Sequence, residues 1–136
     1  MTMPLPAESR TPTLLSLGHG YTAGFLERRL PDWRIIGTTR DAARAEAFAA
    51  RGVEPLLMPA DLRPALEAAT HLLISAAPGM EGDPFLTLAG EAIGKAAPKL
   101  AWVGYLSSTG VYGDHGGGWV DETTPPRATE GHRDRR

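Results

Sequence analysis

The sequence predicts a doubly wound α/β fold on a parallel sheet, and three observations carry that prediction. Short apolar runs alternate with helix-patterned stretches from residue 13 to residue 106, the signature of successive βαβ units. A glycine-rich turn, Gly18-His19-Gly20, joins the first apolar run to the first helical stretch. The run His71-Leu72-Leu73-Ile74-Ser75-Ala76 is apolar without alternation, as expected of a strand covered on both faces.

The elements follow in order. The first strand is expected over 13–17 and the first helix over 21–30, with Phe25, Leu26 and Leu30 on its buried side. Residues 33–38 form the second strand. Asp41 then suits the N-cap of an alanine-rich helix over 42–51, and Gly52 suits the position just past its end. A short third strand over 53–58 precedes a brief helix over 63–69, whose first turn tolerates Pro64. The fourth strand is 71–76, a longer helix spans 85–97 and stops at Pro98, and the fifth strand is 100–106. Beyond Ser107 the composition changes: residues 113–118 are glycine-rich, Pro125-Pro126 breaks any helix, and 128–136 is a polar, charged tail expected to be poorly ordered. The expected organisation is one domain over 1–127 followed by that tail.

Composition excludes several classes of function. The 136 residues are 42% apolar and 22% charged, ordinary for one soluble globular domain. The absence of cysteine removes disulfides, thiolate metal sites and a cysteine nucleophile. A net charge of -2 argues against a nucleic-acid or anionic-membrane face. No apolar run approaches the roughly 20 residues of a membrane helix, and the first 13 residues contain three prolines and no apolar signal core. A cytoplasmic protein is the expectation.

The turn and its surroundings point to a dinucleotide. Gly18-His19-Gly20-Tyr21-Thr22-Ala23 is a G-x-G-x-x-A pattern between a strand and a helix. The first glycine makes the tight turn, the second lets backbone approach a pyrophosphate, and the small third position allows close helix–strand packing. His19 reads as a loop residue rather than a catalyst. At the end of the second strand, where an acid would bond the ribose of NAD, stands Thr38-Thr39-Arg40. A guanidinium fork with hydroxyl neighbours and no carboxylate suits a 2′-phosphate, so NADP is expected in preference to NAD; otherwise Arg40 is a solvated strand-end residue. The missing acid also argues against a methyltransferase using S-adenosylmethionine. Asp61 either lies beside the adenine amino group or caps the short helix. Ala76 and Ala77, small residues ending the fourth strand, leave room for a cofactor across the sheet edge.

The most specific segment is Ser107-Ser108-Thr109-Gly110-Val111-Tyr112-Gly113-Asp114 after the fifth strand. With Gly18 to Tyr21, Asp61-Leu62, the small residues at 75–77 and Val120-Asp121-Glu122-Thr123-Thr124-Pro125-Pro126, it resembles the extended and atypical short-chain dehydrogenases/reductases, the NAD(P)-dependent epimerase/dehydratase family. The resemblance covers about residues 14–127. It implies a Rossmann fold with strand order 3-2-1-4-5, oxidoreduction or epimerisation of a small polar or sugar-like substrate, and Ser108 as the catalytic serine; the alternative for Ser108 is a hydroxyl bonded within a strand-end turn. It also implies a Tyr-x-x-x-Lys pair some two to three dozen residues after the serine. Here no tyrosine follows Tyr112 and no lysine follows Lys99, and the sequence looks cut short after the fifth strand.

Two other readings follow from that departure. One is a catalytically inactive NADP-binding or sensing module, or an inert fragment of a longer reductase; the other is a β-hydroxyacid-type NADP dehydrogenase, whose second strand also ends in arginine before an alanine-rich helix. The serine segment argues against the latter. His115-Gly116-Gly117-Gly118 resembles the oxyanion-hole motif of some lipases, but no G-x-S-x-G elbow accompanies it. His19, His71, His115 and His132 show no ligand spacing, so no metal is expected. The substrate is undetermined, and the resemblance leaves a homodimer open.

Overall fold

A computed structural model describes residues 10–128. Five parallel strands form one sheet in the order β3-β2-β1-β4-β5, with β1 at Thr13–Leu17, β2 at Arg34–Thr39, β3 at Glu54–Leu57, β4 at His71–Ile74 and β5 at Trp102–Tyr105. Helices α1 (Tyr21–Glu27), α2 (Ala42–Ala50), α3 (Arg63–Ala68) and α4 (Pro84–Ala96) fill the connections. This is the expected doubly wound, Rossmann-type topology.

Strand β1 is central, and all five of its residues are buried, Thr13 and Ser16 along with the three leucines. Leu15 pairs with Ile36 of β2 on one edge and Leu72 of β4 on the other. Alternation sends neighbouring side chains to opposite faces. Leu15 and Leu17 join Ile36, Leu66, Leu72, Ile74, Phe85 and Ile93 beneath α3 and α4. Leu14 joins Ala23, Ile35, Phe48, Val53 and Leu73 beneath α1 and α2.

Local chemistry sets the boundaries. Asp41 caps α2, its carboxylate accepting from Arg44 N at 3.1 Å, and Gly52 takes φ +82° after it. Helix α1 ends at Glu27, earlier than the pattern suggested. Its continuation collapses into single turns, with Arg29 N donating to Leu26 O and Leu30 N to Glu27 O, because Pro31 disfavours helical backbone just before it. Helix α4 is interrupted at Ala89, and Pro98 sits in a 3-10 turn that follows it. Strands β4 and β5 are shorter than their apolar runs, and residues 75–77 and 106–108 emerge as loops at the carboxyl edge. Strand β5 lies at the sheet margin, with Trp102, Val103 and Tyr105 about half exposed. The loop after a 3-10 turn at Thr109–Tyr112 returns on itself, Arg127 N donating to Val111 O at 3.0 Å. Of the expected polar tail, 129–136 lies outside the described residues, while Ala128 is buried.

One buried carboxylate ties β5 to α4. Asp83, 4% exposed, accepts from Phe85 N at 2.8 Å and Leu86 N at 3.0 Å, and its other oxygen accepts from the Tyr105 hydroxyl at 2.8 Å. Burial and the carboxylate beside it together push the Tyr105 phenol above its ordinary pKa, which keeps the proton on the donor. Asp83→Ala should cost about 2–3 kcal/mol in urea denaturation, combining a lost cap with an unpaired phenol, and Asp83→Ser should recover the cap portion.

Candidate functional site

Parallel strands place all their carboxyl ends on one sheet edge, so the candidate cofactor and serine segments fall along that edge. In spatial order they are Asp61 after β3, Thr38, Thr39 and Arg40 ending β2, the Gly18–Ala23 turn after β1, Ala76 and Ala77 after β4, and Ser108 after β5. Strand order reverses between β1 and β4: β1 continues to β2 on one side, while β4 starts the other half. Open α/β sheets bind ligands in the crevice at such a switch point.

The turn is pinned by three strands. Gly18 has φ +79°, and a Cβ there would stand 2.8–2.9 Å from the backbone and Cβ of Ala76. Its N–H donates to Thr38 Oγ1 at 2.7 Å, and its carbonyl accepts from Ser75 Oγ at 2.9 Å. The N–H of His19 donates to Thr38 O at 3.2 Å. Gly20 starts α1 with φ -114°, and a Cβ built on it meets nothing nearer than Gly18 O at 3.7 Å. No side chain caps the helix there. Ala23, 1% exposed, packs against the sheet at the third position of the pattern, while Tyr21 and Thr22 face solvent.

The other candidate side chains differ in what holds them. Thr38 is 1% exposed, and its hydroxyl serves the turn. Thr39 Oγ1 accepts from Asp41 N at 3.2 Å. Arg40 is exposed, and among the described residues its guanidinium has no partner. Asp61 accepts from Arg63 N at 3.0 Å and pairs with the Arg63 guanidinium at 2.8 Å, bonds that hold its carboxyl below the usual range. Ala76 is half-buried against Gly18, and Ala77 is exposed. Ser108 is exposed and caps the 3-10 turn, accepting from Gly110 N at 3.1 Å. That is the strand-end turn geometry, and it leaves the hydroxyl proton free to donate.

His19 turns away from the edge. Its ring is buried, with Nε2 2.7 Å from Glu27 Oε2, and Arg51 Nε donates to Glu27 Oε1 at 2.7 Å. Burial alone would push the Glu27 carboxyl up. Hydrogen bonds from Arg51 and His19, with their charges, outweigh it and hold the group below the ordinary carboxylate range. Glu27, Arg51 and Ser75 were not singled out from the sequence. Ser75 stood inside the small-residue run ending β4, which was the available signal. The link to Arg51 spans 24 residues and has no local signature.

Two open grooves lie elsewhere, one of about 720 Å3 between α3 and α4 and one of about 660 Å3 along α1 reaching Gly20 and Val53. The first is a valley between helices and the second runs between α1 and the turn that follows α2, whereas the switch point gathers backbone and small residues from three strands. Among the described residues no helix is long and apolar enough to cross a membrane.

No protein-family model matches the chain, and no curated protein does. It is similar in structure to a functionally unknown conserved protein from Silicibacter pomeroyi, with 55% identity and a TM-score of 0.82. That match covers 92% of this chain and 45% of the other, so the chain spans less than half of that protein. Looser likenesses include the TrkA-N domain of the inner membrane protein ybaL from Escherichia coli, at 20% identity, 74% and 77% coverage and TM-score 0.48. Another is a chain described as a prephenate dehydrogenase from Corynebacterium glutamicum, at 22% identity, 76% and 32% coverage and TM-score 0.48. At that level they say nothing about function.

The two glycines of the turn should behave oppositely in stability measurements. Gly18→Ala forces a side chain into left-handed backbone and against Ala76, and should cost about 2 kcal/mol or more in urea denaturation. Gly20→Ala, in open space, should stay within about 0.5 kcal/mol of the parent.

Proposed function

We propose that this chain is a dinucleotide-binding unit that takes NADP(H) in preference to NAD(H), and that it belongs to a reductase or epimerase of the epimerase/dehydratase type. The observation that carries the reading is the Gly18–Gly20 turn at the switch point, fixed by Thr38 and Ser75 yet open over Gly20. A diphosphate fits there because backbone rather than side chain faces the space. The turn would hold the diphosphate, Ala76 and Ala77 would leave room for it across the edge, and Arg40, with Thr39 beside it, would hold a 2′-phosphate. Asp61, already paired with Arg63, follows β3 on the same edge, where the adenine would lie. The nicotinamide, when bound, supplies or accepts a hydride. Ser108, two strands from the turn, would donate its free hydroxyl proton as a hydrogen bond to a substrate oxygen.

Gly20→Val tests the site itself, because its side chain projects into space that the free protein leaves open. Affinity for NADPH by calorimetry should collapse while the melting temperature holds. Charge-assisted hydrogen bonds contribute about 1.5–3 kcal/mol, so NADPH should bind roughly tenfold or more tighter than NADH, and Arg40→Ala should erase most of the difference. Equal affinities in the parent chain would make Arg40 a solvated strand-end residue.

The second reading, a binding module with little turnover of its own, is favoured by one observation. Among the described residues the exposed Ser108 hydroxyl accepts one bond, from Gly110 N, and no tyrosine or lysine is bonded to it. General acid/base catalysis supplies about 10²–10⁴-fold. NADPH oxidation with a panel of aldehydes, ketones and nucleotide sugars should therefore be weak and little changed by Ser108→Ala. Robust turnover abolished by that substitution would return the chain to the catalytic reading.

A further inference from the structure

His19 sits between the two glycines of the turn, yet its side chain points into the protein. The ring stands edge-on to Phe48 of α2 at 4.9 Å, and Gly37 of β2 makes room for it, since a Cβ at 37 would come within 2.9 Å of His19 Cβ and Cγ. Its Nε2 meets Glu27 in the last turn of α1, and Glu27 is held in turn by Arg51, the C-cap residue of α2. Arg51 also donates to Ala47 O at 3.2 Å and lies over the Phe48 ring at 5.4 Å. The one side chain in the middle of the turn is thereby bonded to one end of each helix in its layer.

Stability alone does not account for a histidine here. Glu27 is ionised and can only accept, so Nε2 carries the proton. His19 Nδ1 is buried without a partner among the described residues. An unpaired buried polar atom is destabilising, and an apolar side chain against Phe48 would avoid that penalty. What an apolar residue would not supply is a directional bond fixing the orientation of the residue 19 backbone relative to α1. Preorganised donors at an anion site gain their strength from being held still before the ligand arrives.

We propose that His19, acting through Glu27 and Arg51, is a positioning residue that fixes the Gly18–Gly20 backbone for the diphosphate of a bound nucleotide. The inference rests on the dinucleotide reading above. It makes diphosphate affinity depend on Arg51, a half-exposed arginine at the far end of α2 that lies outside the carboxyl edge.

The test uses two ligands, NADPH, which contains the diphosphate, and adenosine 2′-monophosphate, which does not. Affinities are measured on the 136-residue chain by calorimetry and by NMR titration. His19→Leu should weaken NADPH about tenfold and adenosine 2′-monophosphate less than about twofold. His19→Gln, which keeps a donor for Glu27, should recover most of the loss. Arg51→Met, at an accessible position, should weaken NADPH about threefold and leave the monophosphate alone, and it carries the same test should His19→Leu fail to fold. Equal weakening of both ligands would mean a merely structural role and would overturn the proposal, as would unchanged NADPH binding in His19→Leu or, where that variant does not fold, in Arg51→Met. A parent chain that binds neither NADPH nor ADP overturns the dinucleotide reading and this proposal together, which separates the two failures.

Discussion

Strand β1 is paired on both edges and covered on both faces, so the chain leaving it must turn in space already bounded by β2 and β4. That confinement decides the chemistry of residue 18. Only a residue without Cβ can reverse direction at φ +79° while touching Ala76. The turn's backbone groups cannot reach water on the sheet side and must find partners there. Thr38 and Ser75, from the two neighbouring strands, provide them. The position of the carboxyl-edge crevice follows from this packing requirement. The turn is where it is because β1 is central, and β1 is central because Leu14, on one face, and Leu15 and Leu17, on the other, are buried.

The two layers are not equivalent. Among the described residues, eleven buried apolar side chains form the cluster beneath α3 and α4, against six beneath α1 and α2. Helix α1 has seven residues, too few to be stable by itself, so its placement depends on tertiary contacts. The hydrogen-bonded side chains of His19, Glu27 and Arg51 lie in this thinner layer, where they add directional bonds to a modest apolar contact. Exposed ion pairs contribute little, but Glu27 is only 10% exposed, and removing one partner would strand a buried carboxylate. Polar bonding here supplies cohesion and geometry that the α3/α4 layer obtains from leucine and phenylalanine.

How much of this was legible in the sequence depends on the range of the interaction. The strands, their parallel order and the capping role of Asp41 were legible, because apolar runs and caps are written within a few neighbouring residues. The end of α1 was misplaced by three residues, since Leu26 and Leu30 keep the apolar pattern going while Pro31 ends the helix. Gly18, Gly20 and Ala23 announced themselves by spacing. The inward direction of the His19 ring did not, because it depends on Gly37, Phe48 and Glu27, which only the folded sheet brings together. The Thr38 side chain was similarly ambiguous: a threonine at a strand end can face a ligand or a neighbouring turn, and its pairing position beside β1 settles the choice.

The carboxyl edge is held unevenly, and that bears on what each part can do. The turn and the end of β4 are fixed by buried bonds and near-contact packing, whereas Ser108 stands on an exposed 3-10 turn beside a half-exposed margin strand. A binding site for a fixed anion needs only the first kind of support. Proton transfer needs more, because a small misplacement of the donor forfeits much of the advantage of proximity. In the proposed catalytic role, Ser108 would need contacts beyond the single bond its hydroxyl accepts from Gly110. On the proposed reading, nucleotide affinity and turnover would be separable, the first resting on the buried centre of the sheet and the second on how its β5 margin is covered.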